Sequence, residues 1–410
     1  MNNVELINKY NNILIRRVDN LGDIVIALPV IREIKKNFPD SYLYLMVRNE
    51  HRPLLYKYAD YFLEPTKLSS LSKKKPNFDL IFNIEYSFPK RYKPNGIPLH
   101  KIIHIGTVDW NKKQHVYKHL LDGLANHGLK ASYSKPKVNI SRDARNYFRH
   151  WMKACKYEKQ NFNVIINPGS RFSTKVYETA KYEQVCKWLI ETFDAHITVL
   201  SKGCKDREAR ILFNKLSTDN KQFLCNQPLD NVSAIISQHD LLIGNDSGTS
   251  HLAAALNVPT VTIFKVTPPG LWRPAGKKSI IVRRKQSKQD ATMNKTSKPD
   301  IEYMNILTAN DVIDGILLAI VKFIGLNKKG CFQKINISGN LRIISHKPGM
   351  ILQNKCTFHS CYINSGWGYI EKLFNDIKRI RNLNKLLLKY PEDSELINFL
   401  LIHRIVEFEK

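Results

Sequence analysis

The stretch GNDSGTSHLAAALNVPTVTIF, Gly244 to Phe264, decides the fold. The strand-like DLLI of Asp240 to Ile243 precedes it, a compact alanine-leucine helix fills its middle, and Asn-Val-Pro leads into a β-branched strand. A helix needs one cap, yet Asp246, Ser247, Gly248 and Thr249 stand in a row at this turn. Asp246 or Ser247 can cap the helix, and Gly248 lets a ligand approach the backbone. Open amides at a helix start bind phosphate well. His251 lies about one turn further in, on either the ligand face or the core face.

Working outward, the same alternation recurs. Ile13 to Val18 reads as a strand and Asp23 to Phe38 as a helix, followed by strands at Ser41 to Val47, Phe78 to Glu85 and Lys101 to Gly106. His115 to Leu129 is the last clear helix of this half, and a basic, mixed stretch from about 134 to 161 reads as a linker. A second series follows: strand Asn163 to Gly169, helix Thr179 to Phe193, strand His196 to Ser201 and helix Asp206 to Leu216. FLC and NVSAIIS repeat the unit before the opening stretch, and Ser279 to Arg284 closes the series as a strand. Strands alternating with helices predict parallel sheets joined by crossover helices. The expected fold is therefore α/β, with two Rossmann-like domains, 1–155 and 156–328, facing each other across a cleft. In open sheets of this kind ligands bind outside the carboxyl ends of the strands.

Beyond the second series, residues 285–299 read as a polar, lysine-rich loop and 308–326 as a capped helix. Residues 329–410 form a less regular extension containing a basic amphipathic stretch, 371–390. There Leu373, Ile377, Ile380, Leu383 and Leu387 recur every three or four residues. This stretch is expected to pack on the core; the other reading is an acceptor-binding or membrane element.

Composition bounds the function. The 410 residues suffice for two domains, and 43% apolar with 24% charged residues is a soluble globular balance. No window reads as a membrane span, because Asp314 and Lys322 interrupt the best candidate. The N-terminus shows no signal-peptide pattern. Seven scattered cysteines without a CxxC pair argue against a disulfide framework or a zinc site, and fit inert thiols in a reducing cytoplasm. A net charge of +28 fits nucleic acid, an anionic membrane surface or a phosphorylated substrate.

Two further turns carry candidate chemistry. In RRVDNLGD, Arg16 to Asp23, Gly22 lets the backbone turn and Asp23 enters the first helical turn, where the dipole favours a carboxylate. Asp23 reads either as a site residue or as a plain cap. In NPGSRFSTKVY, Asn167 to Tyr177, backbone amides, the Ser170 hydroxyl and the mobile Lys175 can hold phosphate. Neither GxGxxG nor GxxxxGK[ST] is present, so this is no dinucleotide fingerprint and no P-loop.

These residues resemble glycosyltransferase family 9, the heptosyltransferases of lipopolysaccharide core synthesis. RRVDNLGDIVIALPVIREIKKNFPDSYL is similar to the family's N-terminal signature, and the opening stretch to its second signature, G-x-D-[ST]-G-x-x-H-[LI]-A-A-A. Gln114 to Gly128 and Tyr303 to Ile316 resemble two further segments, so the likeness spans about residues 11 to 326 in order. It implies a GT-B fold with an acceptor-binding first domain and a nucleotide-sugar-binding second domain. The implied activity is inverting, metal-independent transfer of heptose from ADP-heptose to a lipopolysaccharide or lipooligosaccharide core acceptor. The sequence contains no Asp-x-Asp pair of the kind that holds a metal on a diphosphate, and no cofactor beyond the sugar nucleotide is expected.

By the family pattern, Asp23 is the general base and Lys175 neutralises the leaving diphosphate. Ser170, Asp206, Asp246, Ser247, Gly248, Thr249 and His251 belong to the donor side, with Asp206 or Glu208 at the ribose. Arg17, Asn20 and Gly22 belong to the acceptor side. The chain departs from the pattern at Phe264-Lys265-Val266-Thr267, where the family has F-G-P-T, and at Arg171 and Phe172. Lys265 is expected to face the donor pocket. The implied partners are a nucleotide sugar, an anionic phosphorylated glycolipid and the inner-leaflet surface, with no specific nucleic acid. The location is then cytoplasmic and peripheral to the inner membrane. Two alternatives stand: the same fold with another sugar nucleotide or a capsule or protein acceptor, and a non-catalytic basic protein binding membrane or nucleic acid.

Overall fold

The computed structural model describes residues 10–65, 77–85, 99–106, 114–155, 157–158, 161–203, 206–283 and 307–324, with short segments between 335 and 408. Two all-parallel sheets dominate it. The first takes β1 (Asn12–Arg16), β2 (Tyr42–Met46), β3 (Tyr61–Leu63), β4 (Leu80–Ile84) and β5 (Ile102–Ile105) in the order β3-β2-β1-β4-β5. The second takes β6 (Asn163–Asn167), β7 (His196–Leu200), β8 (Lys221–Leu224), β9 (Leu241–Asn245), β10 (Thr260–Ile263) and β11 (Ser279–Val282) in the order β11-β10-β9-β6-β7-β8. This is the GT-B arrangement.

Strand order positions the site. β1 lies beside β4, and β6 beside β9, with Asn167 level with Gly244. In each sheet the chain builds outward on one side of the central strand and then returns to its other side. The loops leaving two adjacent strand ends therefore part in opposite directions and open a crevice.

Helix α1 (Leu21–Asn37) follows β1. Asn20 and Asp23 form its capping box, Lys35 and Lys36 lie in its last turn, and its apolar residues are almost wholly buried. Helix α2 (Val116–Ala125) packs on it. After β9, helix α7 (Gly248–Ala255) packs on α1 from the second half, so one apolar cluster runs from Ile24 and Leu28 through to Leu252 and Ala253. Between these lie α3 (Arg142–Ala154), α4 (Thr179–Phe193), α5 (Arg207–Lys215) and α6 (Leu229–Ile236).

Helix α3 corrects the expected linker. Only Ala144, Phe148 and Trp151 are buried along it, at helical spacing, while polar side chains cover the rest. Ser141 caps it, accepting from the Ala144 amide at 3.0 Å. So narrow an apolar face gives a weak periodic signal, and packing on α6 stabilises it. The edge strand β3 is likewise too short to stand out.

A short helix α8 (Pro269–Trp272) precedes β11, and α9 (Ala309–Ala319) follows, capped by Thr308 with Asp311. The expected loop 285–299 lies outside the described residues. In the extension, strands β12 (Ile335–Ile337) and β16 (Val406–Phe408) pair, and β13 (Leu341–His346), β14 (Gly349–Asn354) and β15 (Ser360–Ile363) form an antiparallel meander. Of the amphipathic stretch, Leu373 and Ile377 are fully buried against the core of the second half. Ile380, Leu383 and Leu387 lie outside the described residues. Cys186 is a buried thiol, raised by that burial well above its ordinary pKa.

Candidate active site

The carboxylate of Asp23 is fixed by its own helix start. One oxygen accepts from the Asn20 amide at 3.3 Å, and the other lies 3.8 Å from Arg17. Capping and site geometry coincide: the cap aims the carboxylate, and about a quarter of the side chain stays exposed (23%). Burial raises its pKa above 3.8, outweighing the opposing pull of Arg17. Arg17 departs from its expected place beside the acceptor. It is fully buried, pairs with Asp19 at 2.9 Å and donates to the Ile84 carbonyl, so it supports this turn from beneath.

On the other half, Lys175 sits 2.6 Å from Asp246, which also accepts from the Thr267 hydroxyl. Asp246 is buried at the end of β9. Ser247, not Asp246, takes the cap position of α7, yet its hydroxyl accepts from Asn167 at 3.0 Å and no side chain caps the helix. Ser247, Gly248 and Thr249 remain half-buried at this open helix start. It therefore offers amides and a positive dipole end to an anion. Lys175 also exerts its charge on Asp23, and Arg171 donates to Asn20 across the cleft.

Gly22 and Gly248 have a further reason beside turning and ligand approach. A Cβ on Gly248 would sit 2.7 Å from Leu21 Cβ and 2.8 Å from the Gly22 nitrogen. On Gly22 it would meet His251 at 3.2 Å. The glycines allow the starts of α1 and α7 to touch, so two helix N-termini converge on one place. His251 lies beneath this contact, nine-tenths buried, with its pKa driven down to about 4 and its imidazole neutral at physiological pH. We expect Gly248→Ala to cost about 1–3 kcal/mol through overpacking and to lower activity. The matched control Gly270→Ala, with nothing within 4 Å, should leave the melting temperature unchanged.

Past the carboxyl ends of β6 and β7 an open groove of about 500 Å3 is lined by Ser170, Lys202, Asp206, Arg207 and Glu208. Asp206 caps α5, accepting from Ala209 at 3.3 Å, and approaches Gly169 so closely that a Cβ there would lie 2.8 Å from its oxygen. Lys265, expected to face the donor pocket, is not among the residues lining this groove, and its amine donates to the Val176 carbonyl. Sequence reasoning passed over Lys202, Arg207, Asn167 and Thr267. The run of four cations in SKGCKDREAR after β7 was the visible signal for the first pair. Among the described residues no group of three or more His, Cys, Asp and Glu gathers as a metal site.

Two facing parallel α/β halves, with a carboxylate from one and a lysine, a carboxylate and an uncapped helix start from the other, define a GT-B glycosyltransferase. The model of glycosyltransferase family 9 (heptosyltransferase) matches residues 108–301. Lipopolysaccharide heptosyltransferase 1 of Campylobacter coli is 26% identical over 295 residues, covering 62% of this chain and 84% of that protein. Lipopolysaccharide heptosyltransferase 3 of Escherichia coli K12 is 23% identical over 331 residues, covering 71% and 93%. Among solved structures, a family 9 glycosyltransferase from Veillonella parvula superposes with a TM-score of 0.64 at 16% identity, covering 75% of this chain and 97% of its own. ADP-heptose lipopolysaccharide heptosyltransferase II of E. coli gives 0.58 at 18%, covering 75% and 98%. Residues 108–301 thus carry a glycosyltransferase family 9 domain, and the chain is a glycosyltransferase similar to the lipopolysaccharide heptosyltransferases.

Proposed function

We propose that this enzyme transfers heptose from ADP-heptose to a lipopolysaccharide core acceptor, inverting the anomeric centre without a metal. The observation that carries the reading is the Lys175–Asp246 pair at the start of α7, where α7 touches α1 and the charge of Lys175 acts on Asp23. The acceptor hydroxyl attacks the anomeric carbon while Asp23 takes its proton, and the bond to the diphosphate oxygen breaks. Charge growing on that leaving group falls to Lys175 and to the amides at the start of α7. Asp246 holds donor hydroxyls, with Ser170 and Asp206 on the nucleotide side. Asn20 and the turn at Gly22 border the acceptor.

The relatives' names, lipopolysaccharide heptosyltransferases, support this donor and acceptor class. The +28 charge supports attraction to a phosphorylated glycolipid and to an anionic inner leaflet, placing the enzyme in the cytoplasm at that surface. Among the described residues no helix is long and apolar enough to cross a membrane. In a thermal-shift test, ADP-heptose should raise the melting temperature and UDP-glucose should not, and turnover should persist in EDTA. Equal stabilisation by UDP-glucose would overturn the donor, and loss of turnover in EDTA the metal-free chemistry.

A further inference from the structure

The loop between β6 and α4, residues 168–178, carries Ser170, Arg171 and Lys175 but has almost no regular structure of its own: one short turn of 3-10 helix spans Ser173–Lys175. Its two ends meet at one side chain, Asn245, the last residue of β9, which is fully buried. The Asn245 amide nitrogen donates to the carbonyls of Pro168 at 2.7 Å and Gly169 at 3.4 Å. Its carbonyl oxygen accepts from the Tyr177 amide at 3.0 Å and from the Tyr182 hydroxyl at 3.1 Å. Backbone carbonyls only accept and a backbone amide only donates, so the side chain has a single allowed orientation. Lys265 ties the same loop end again through Val176.

We propose that Asn245 is a positioning residue: it clasps both ends of the loop so that Lys175 is delivered to Asp246 and the leaving diphosphate. It touches no reacting atom. The inference rests on the reading of Lys175 as the leaving-group cation, but the clasp is testable apart from it. Aspartate has the shape of asparagine and no donor, so Asn245→Asp turns two hydrogen bonds into two repulsions without opening a cavity.

The full-length chain and Asn245→Asp are compared by hydrogen exchange and by steady-state transfer from ADP-heptose. Exchange across 168–177 should quicken at least about tenfold while α1 and β7 stay as protected as before. kcat/KM should fall about thirtyfold, yet in a Lys175→Met background the same change should cost less than about threefold, since its effect passes through that lysine. Unchanged exchange in the loop, or an equal loss in both backgrounds, overturns the proposal. Should Asn245→Asp fail to fold, Tyr182→Phe removes one partner of the clasp with the ring retained. It should quicken loop exchange a few-fold, and no change there overturns the clasp. If the wild-type chain fails to turn over ADP-heptose, the functional reading falls while the exchange data still decide the clasp.

Discussion

Asp23→Asn is expected to lower transfer by about 10²–10⁴-fold while ADP-heptose binds almost as before. The side chain keeps its shape and an oxygen to accept from the Asn20 amide, so the helix start survives. What disappears is the capacity to take the proton. Burial holds the Asp23 pKa above its ordinary value, which shifts the acid limb of the kcat/KM profile upward with it. The sign for stability runs the other way. A carboxyl with a raised folded pKa contributes stability below its unfolded pKa and loses it as pH rises through the folded value. At neutral pH the ionised Asp23 is therefore a cost, and Asp23→Asn should hold or raise the melting temperature. Full activity in this variant would remove Asp23 from the role of base. A large loss of donor affinity would make it a binding residue instead.

Lys175→Met is expected to lower kcat by about 10²–10³-fold, the scale of removing one preorganised donor from a developing charge. Methionine retains much of the aliphatic length and deletes the cation. The change also leaves Asp246, buried, with the Thr267 hydroxyl but without its ion pair. Breaking such a pair from one side destabilises, because the remaining charge stays desolvated. The double variant Lys175→Met, Asp246→Asn should thus regain melting temperature without regaining rate. Recovery of rate in the double variant would show that Lys175 serves Asp246 alone and not the diphosphate.

Much of the frame was legible in local pattern. β-branched runs such as Asn163–Asn167 and Leu241–Asn245 alternate with capped helices, and that period needs no distant partner to be read. The acid-glycine turn before α1 and the Asp-Ser-Gly turn before α7 were visible for the same reason. Helix α3 was not, since three buried residues among many polar ones carry little periodic signal.

Contacts between distant segments lay beyond that pattern. Lys265 follows a strand and was expected at the donor pocket, yet its amine reaches Val176, 89 residues earlier. Asn245 looked like one more polar residue of a signature, although it gathers Pro168, Gly169, Tyr177 and Tyr182. Arg17, expected on the acceptor side, is fully buried, and Ile84, the last residue of β4, supplies a carbonyl for it.

Local pattern alone gave most strands and helices in order, short of β3 and α3, the turns that end in Asp23 and Asp246, and the cations beside them, because hydrophobic period and capping act over a few residues. The placing of β6 beside β9 and the meeting of α1 with α7, glycine to glycine, came from packing between distant segments. Strand neighbours are chosen by how crossover helices pack, and two backbones can touch only where both chains omit a Cβ. Across that contact the charge of Lys175, paired with Asp246 in one half, acts on Asp23 in the other.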